Sequence, residues 1–242
     1  MKSIIILFTI LVYVNLYPNS IKDSIDKYYY SFNYNKLEQL LIELDTTKFQ
    51  LYYLNSYYKG IVQYCLGRIY YNYNKDKAFQ KFEQSLENFK LVNEKNSTAE
   101  ILALISAAYG KLSSLSILKA IIYGIEAKIY IEEAYKLNPN ETKVLIVAAT
   151  HLMHTPEFYG GNKKLARELL LKVVDLNSKF NHEKNYTINW GTDAEAYAYL
   201  AQLEILLGNK SEAIKYIDKA LELIPYYGFV KIDLKKQLER LK

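Results

Sequence analysis

Residues 193–225 read DAEAYAYLAQLEILLGNKSEAIKYIDKALELIP. Tyr197, Leu200 and Ala201 fall on one face of a helix, because side chains three and four residues apart share a helical surface. Gly208-Asn209 interrupts that helix. Ser211, with Glu212 beside it, suits the start of a second helix, whose face is marked by Ala213, Ile217 and Ala220. Pro225 ends it, since a proline cannot continue the hydrogen-bond ladder. Two short antiparallel helices cannot bury their apolar faces alone, so the unit calls for stacked copies of itself. Small residues allow the two helices to touch, and large ones fill the gap to the next pair.

Fainter copies lie outward from this unit. Leu66-Gly67, with Tyr70 three residues on, repeats the first helix, and Ala78, Phe82 and Ser85 repeat the second. Ala127, Ile131 and Ala134 with Pro139 give the second-helix spacing again, as do Ala166, Leu170 and Val173. Ile25 to Tyr30 and Leu37 to Leu44 make a degenerate opening pair. Residues 229–242 are amphipathic and charged, as expected of the polar helix that caps a solenoid. This phrase resembles the tetratricopeptide repeat, W-x2-L-G-x2-Y followed by A-x3-F-x2-A and a closing proline. Tyr197 stands where the repeat has tryptophan, and Glu204 where it has tyrosine. The resemblance implies an all-α, right-handed superhelical solenoid of about five antiparallel helix pairs. It would form a single domain over residues 21–242, best developed at 193–225 and capped by 229–242.

Composition agrees. Hydrophobic residues make up 50% and charged residues 24% of the chain, a globular balance. Only 4 prolines and 9 glycines occur among 242 residues, which disfavours a turn-rich β fold. The formal charge of +5 is spread along the chain in no basic block, so no nucleic-acid footprint is expected. Cys65 sits in the apolar stretch 61–66 and reads as a small buried hydrophobe. The 25 tyrosines suit either a binding groove or packing between helices.

Residues 1–20 read as a segment outside the fold. A basic start precedes an apolar run from Ile4 to Val14, too short to span a bilayer, and Pro18 follows. This is the pattern of a secretory signal or, without cleavage, of an N-terminal anchor. The expectation is therefore export to the periplasm or the medium, with membrane contact only through this segment.

Three departures from the repeat mark candidate sites, because insertions map to loops. Residues 106–124 lengthen the third pair, as an extended helix or one kinked at Gly110. Residues 151–161 stretch the fourth turn around Tyr159, Gly160 and Gly161. Residues 177–191 form a polar loop with the lone tryptophan, Trp190. The run Pro156 to Ala166, with its Gly160-Gly161 turn, and the ending Pro225 to Val230 resemble the periplasmic T-component proteins associated with TRAP transporters. That resemblance implies a periplasmic solenoid serving a partner protein or a small hydrophobic solute, alone or as an oligomer.

Chemical motifs are sparse. His151 and His154 share a helix face and, with Glu157 nearby, could offer nitrogen and oxygen ligands, but no third histidine or H-E-x-x-H spacing accompanies them, so no metal is expected. His182 stands alone in the polar loop. Gly160-Gly161 suits an anion at a helix start or, more simply, a tight turn needing positive φ. No cofactor motif and no catalytic constellation is legible. The expected role is a non-catalytic scaffold that holds a protein or peptide on the concave face. Mapping the repeat onto the chain places Tyr64, Arg68, Tyr71, Ile146, Thr150, His154, Ala198 and Gln202 there. Replacing Arg68 and Tyr71 together should weaken partner recovery without lowering the melting temperature.

Overall fold

Side-chain caps set the helix starts. Asn33, Asn74, Thr98 and Thr192 each accept the amide of the residue three positions on, and Asn162 does the same for Leu165. Each thereby satisfies a donor that the first turn leaves free. The computed structural model describes residues 21–47, 49, 51–179 and 190–241. Among these are α1 (21–30), α2 (Tyr34–Thr46), α3 (Tyr52–Tyr70), α4 (Lys75–Lys95), α5 (Ala99–Leu115) and α6 (Ala120–Leu137). They continue with α7 (Thr142–His154), α8 (Lys163–Lys179), α9 (Asp193–Leu206) and α10 (Lys210–Leu223). A π-helical stretch, Phe229–Leu234, runs into α11 (Lys235–Glu239). No strand occurs among the described residues.

The helices pair in chain order, and the pairs stack as a solenoid. Ala78, Ala127, Ala134, Ala166, Ala213 and Ala220 are all buried at the contacts. Gly67 explains its place in the repeat phrase: a Cβ there would lie 2.8 Å from the Phe82 ring of α4. In the third pair, Ser106 Oγ donates to the Ala127 carbonyl at 2.7 Å, joining α5 to α6. That pair is not lengthened: α5 and α6 have 17 and 18 residues against 19 and 21 in α3 and α4. α5 runs straight through Gly110 to Leu115, and the break comes at residues 116–119.

The C-terminal segment caps the fifth pair and also reaches across the molecule. Phe229, Val230 and Leu234 are buried. Tyr227 meets Tyr30 of α1 edge to face at 4.8 Å. Gly228 lies so close to Phe32, in the first turn, that a Cβ would approach its ring to 2.5 Å. Asp233 is hydrogen-bonded to Asn72, just beyond α3. Tyr30 in turn bonds the Thr192 side chain at the start of α9. The fifth pair is thus tied back to the first two, and the first helices of the pairs surround a closed interior.

Candidate partner-binding groove

The inner face is built by the first helix of each pair, α1, α3, α5, α7 and α9. Their meeting leaves a cavity of about 60 Å³, walled mainly by apolar groups and including Tyr64, Arg68, Ile146, Thr150, Trp190 and Glu195. That is room for a few water molecules. It is far below the roughly 300 Å³ or more of a pocket that takes an organic ligand.

Arg68 is the centre of this interior. Its guanidinium donates to the Tyr199 hydroxyl. The ring centroids of Phe229, Tyr199 and Tyr29 lie 5.0, 5.5 and 5.7 Å from it, a three-sided aromatic box. Protein atoms crowd the cation, while the cavity keeps part of it accessible. Glu195 stands among the groups that feel it. Burial raises the Glu195 carboxyl above its ordinary range, and the Gly191 amide, donating to it at 2.6 Å, opposes that rise. Burial also pushes the Cys65 thiol well up, which leaves it unreactive.

A second buried node holds Trp190, just before α9. Glu100 accepts from the Tyr57 hydroxyl at 2.6 Å and from Trp190 Nε1 at 3.1 Å, and Lys143 Nζ lies 3.0 Å away. The Lys143 ammonium also sits 5.6 Å from the Trp190 ring centroid. Trp190 is therefore anchored to α5 and α7.

The groove opens where the first helices end. Tyr71 donates to Ser114 Oγ at 2.9 Å, and Lys111 Nζ lies 5.2 Å from the Tyr71 ring centroid. His154 is hydrogen-bonded to Gln202. Burial, with Arg68 nearby, pushes the Lys111 ammonium down to about 7, and Asp233 counters in part. Burial and the charge of Lys111 hold His154 below its usual range. Burial raises the Asp233 carboxyl, while Asn72, Arg68, Lys236 and Lys111 oppose that rise; Arg68 is shared with Glu195 behind it.

The residues expected on the concave face thus divide in two. Tyr64, Arg68, Ile146 and Thr150 line the small cavity, while Tyr71, His154 and Gln202 stand at its mouth. Ala198 is a correction: it is fully buried, and its neighbour Tyr199 faces the interior. Arg68 is a correction of another kind. Its aromatic box makes it part of the fold, so its replacement together with Tyr71 would lower stability. In the fourth turn, the Gly160 and Gly161 amides donate to Glu157 and Pro156 carbonyls, and Gly160 has φ 95°. The two glycines serve a tight turn, and their amides are already used. Phe158 and Tyr159 project from it, exposed. His151 is half-buried, and His182 lies outside the described residues. Among the described residues no three metal-ligating side chains cluster. Sequence reasoning missed Lys111, Asp233, Glu100 and Glu195. For Glu195 a signal existed, the Thr192-x-x-Glu195 spacing of a capping box.

Helix pairs stacked in chain order around an inner face define an all-α solenoid of tetratricopeptide type. No protein-family profile matches the sequence, and no curated protein matches it. Among solved structures the chain is similar to a thermophilic TPR protein of Thermus thermophilus. The two share 17% identity with a TM-score of 0.55, over 92% of this chain and 99% of that one. At that identity the likeness establishes the fold.

Proposed function

We propose that the protein is a non-catalytic scaffold that binds an acidic segment of a partner protein at the groove mouth. The observation that carries this reading is the Lys111 ammonium 5.2 Å from the Tyr71 ring centroid at the groove mouth, with Arg68 close enough to depress it. A cation beside aromatic and amide side chains suits a carboxylate entering between Tyr71, His154 and Gln202. The interior behind it is too small for a folded ligand, so an extended segment with one inserted acidic side chain fits best.

The test is fluorescence anisotropy with a panel of acidic, neutral and basic peptides. Acidic peptides should bind preferentially, and Lys111→Glu should weaken them about tenfold or more. Lys111→Met, which removes the desolvated charge, should weaken them too without lowering the melting temperature. Equal binding of acidic and basic peptides, or indifference to Lys111→Glu, would rule the mouth out as the recognition site.

The scaffold is further proposed to act outside the cytoplasm. The support is the basic start and the apolar run Ile4 to Val14. Cell fractionation with mass spectrometry of the N-terminus tests this; an intact cytoplasmic chain contradicts it.

A further inference from the structure

The second helices of the pairs form the outer surface, and α6 stands apart from the rest. α4 exposes Leu91, and α10 exposes Ile214 and Leu223, each as isolated side chains among charged ones. The turn before α6 and its first half expose Ile117, Leu118, Ile121, Ile122, Ile125 and Ile129, every one more than half accessible. Ile117 and Leu118 are 97% and 95% exposed. Ile122, Ile125 and Ile129 are spaced three and four apart, as in the seam of a coiled coil. Several hundred Å² of contiguous aliphatic surface exceeds what a monomer ordinarily leaves bare. It approaches the roughly 800 Å² per partner of a standard interface.

We propose that this stripe pairs with the same stripe of a second copy of the chain, the two α6 helices antiparallel about a two-fold axis near Ile125. The charges on α6 favour this occupant. Three lysines (Lys119, Lys128, Lys136) are balanced by three glutamates (Glu126, Glu132, Glu133), so the helix has no basic surplus to hold it on anionic lipid. The exposed aromatic of α6, Tyr135, stands beyond the stripe, near the other end of the helix. The order of charges is self-complementary. With Ile125 on the axis, Ile121 of one copy meets Ile129 of the other. Lys119 then comes within one turn of Glu132 and Glu133 of the other copy. An isologous contact of this kind closes at the dimer.

The experiment uses the full chain. An Ile125→Cys variant should form a disulfide-linked dimer under mild oxidation, because position 125 faces itself across the axis and the native Cys65 is buried. Ile214→Cys, on α10, should not. Light scattering should give twice the mass of one chain, and Ile122→Glu with Ile125→Glu should weaken association at least 100-fold or so. Both sites are exposed, so the helical signal should be kept. Lys119→Glu should weaken the dimer, and adding Glu132→Lys and Glu133→Lys should restore it. A species of one-chain mass up to about 100 μM overturns the proposal. So does a monomer whose isoleucines instead bind lipid vesicles or the chain's own residues 4–14, and so does a dimer indifferent to the α6 substitutions.

Discussion

Glu204 occupies the position where the tetratricopeptide pattern has a tyrosine, and it is completely buried. It is held by an ion pair with Arg167 of α8 and by Asn209 Nδ2, which donates to it at 2.8 Å. The substituted position therefore joins the fourth pair to the fifth through charge instead of an aromatic ring. Removing one partner of a buried pair leaves the other charge uncompensated, which costs several kcal/mol. Arg167 keeps about a third of its side chain in water (32%), which softens the effect. Arg167→Ala should therefore lower stability by roughly 2–3 kcal/mol in urea unfolding. Pairing it with Glu204→Leu should recover most of the loss. A single variant that melts like the parent would show the pair to be dispensable. Tyr227 presents the opposite case. Its ring is fully buried between Tyr30 and Phe229, and its hydroxyl has no hydrogen-bond partner among the described residues. A buried, unpaired hydroxyl is a liability of about 1 kcal/mol or more. Tyr227→Phe should thus raise the urea midpoint, and a fall of about 1 kcal/mol or more would reveal a bond that this geometry lacks.

At the scale of elements, the turn between α7 and α8 makes the strictest demand on sequence. A Cβ on Gly161 would stand 1.8 Å from the Thr155 carbonyl oxygen, so the turn backbone itself must move. Gly160 has open space around it, but its φ of 95° strains any other residue. Gly160→Ala should cost about 1 kcal/mol, and Gly161→Ala clearly more, as a larger drop in melting temperature. The reverse order would mean the turn rearranges cheaply. The helix pairs were legible because their small-then-large phrase is a packing requirement. Ala166, Leu170 and Val173, or Ala213, Ile217 and Ala220, are buried as their spacing predicts. The inner face was less legible where a helix is apolar on every side. In α9, Ala196, Ala198, Leu200 and Leu203 are all buried, so periodicity cannot say which of Ala198 and Tyr199 looks inward. The same holds for α5, where nothing in the local pattern marks Lys111 as a groove cation. The meeting of Tyr227 with Tyr30 joins residues almost a chain length apart, and repeat spacing carries no signal for it.

For the whole molecule, that closure changes what the concave face can be. An open solenoid offers its inner face along its length, whereas here, among the described residues, the C-terminal segment meets α1 and covers the inner face around Arg68. Lys111 sits at the groove mouth, and its titration distinguishes folding from recognition. Its ammonium is pushed down to about 7 in the fold, chiefly by burial, against an ordinary value of 10.5. Between those two values the unfolded chain binds more protons than the folded one, so stability rises as pH increases from about 7 towards 10.5. Below about pH 7 both forms are protonated, and this group contributes no slope, only a constant penalty. Lys111→Met removes the penalty, so the variant should be the more stable of the two near about pH 6.5 and lose its advantage towards about pH 10. Recognition should run the other way. An acidic peptide needs the charged ammonium, so its affinity should fall as pH rises through about 7, while the fold that presents the site grows firmer. Urea midpoints and peptide anisotropy, measured across the same pH series on parent and variant, separate the two effects. Parallel trends in stability and affinity, or a pH slope that survives Lys111→Met, would place the titrating group elsewhere.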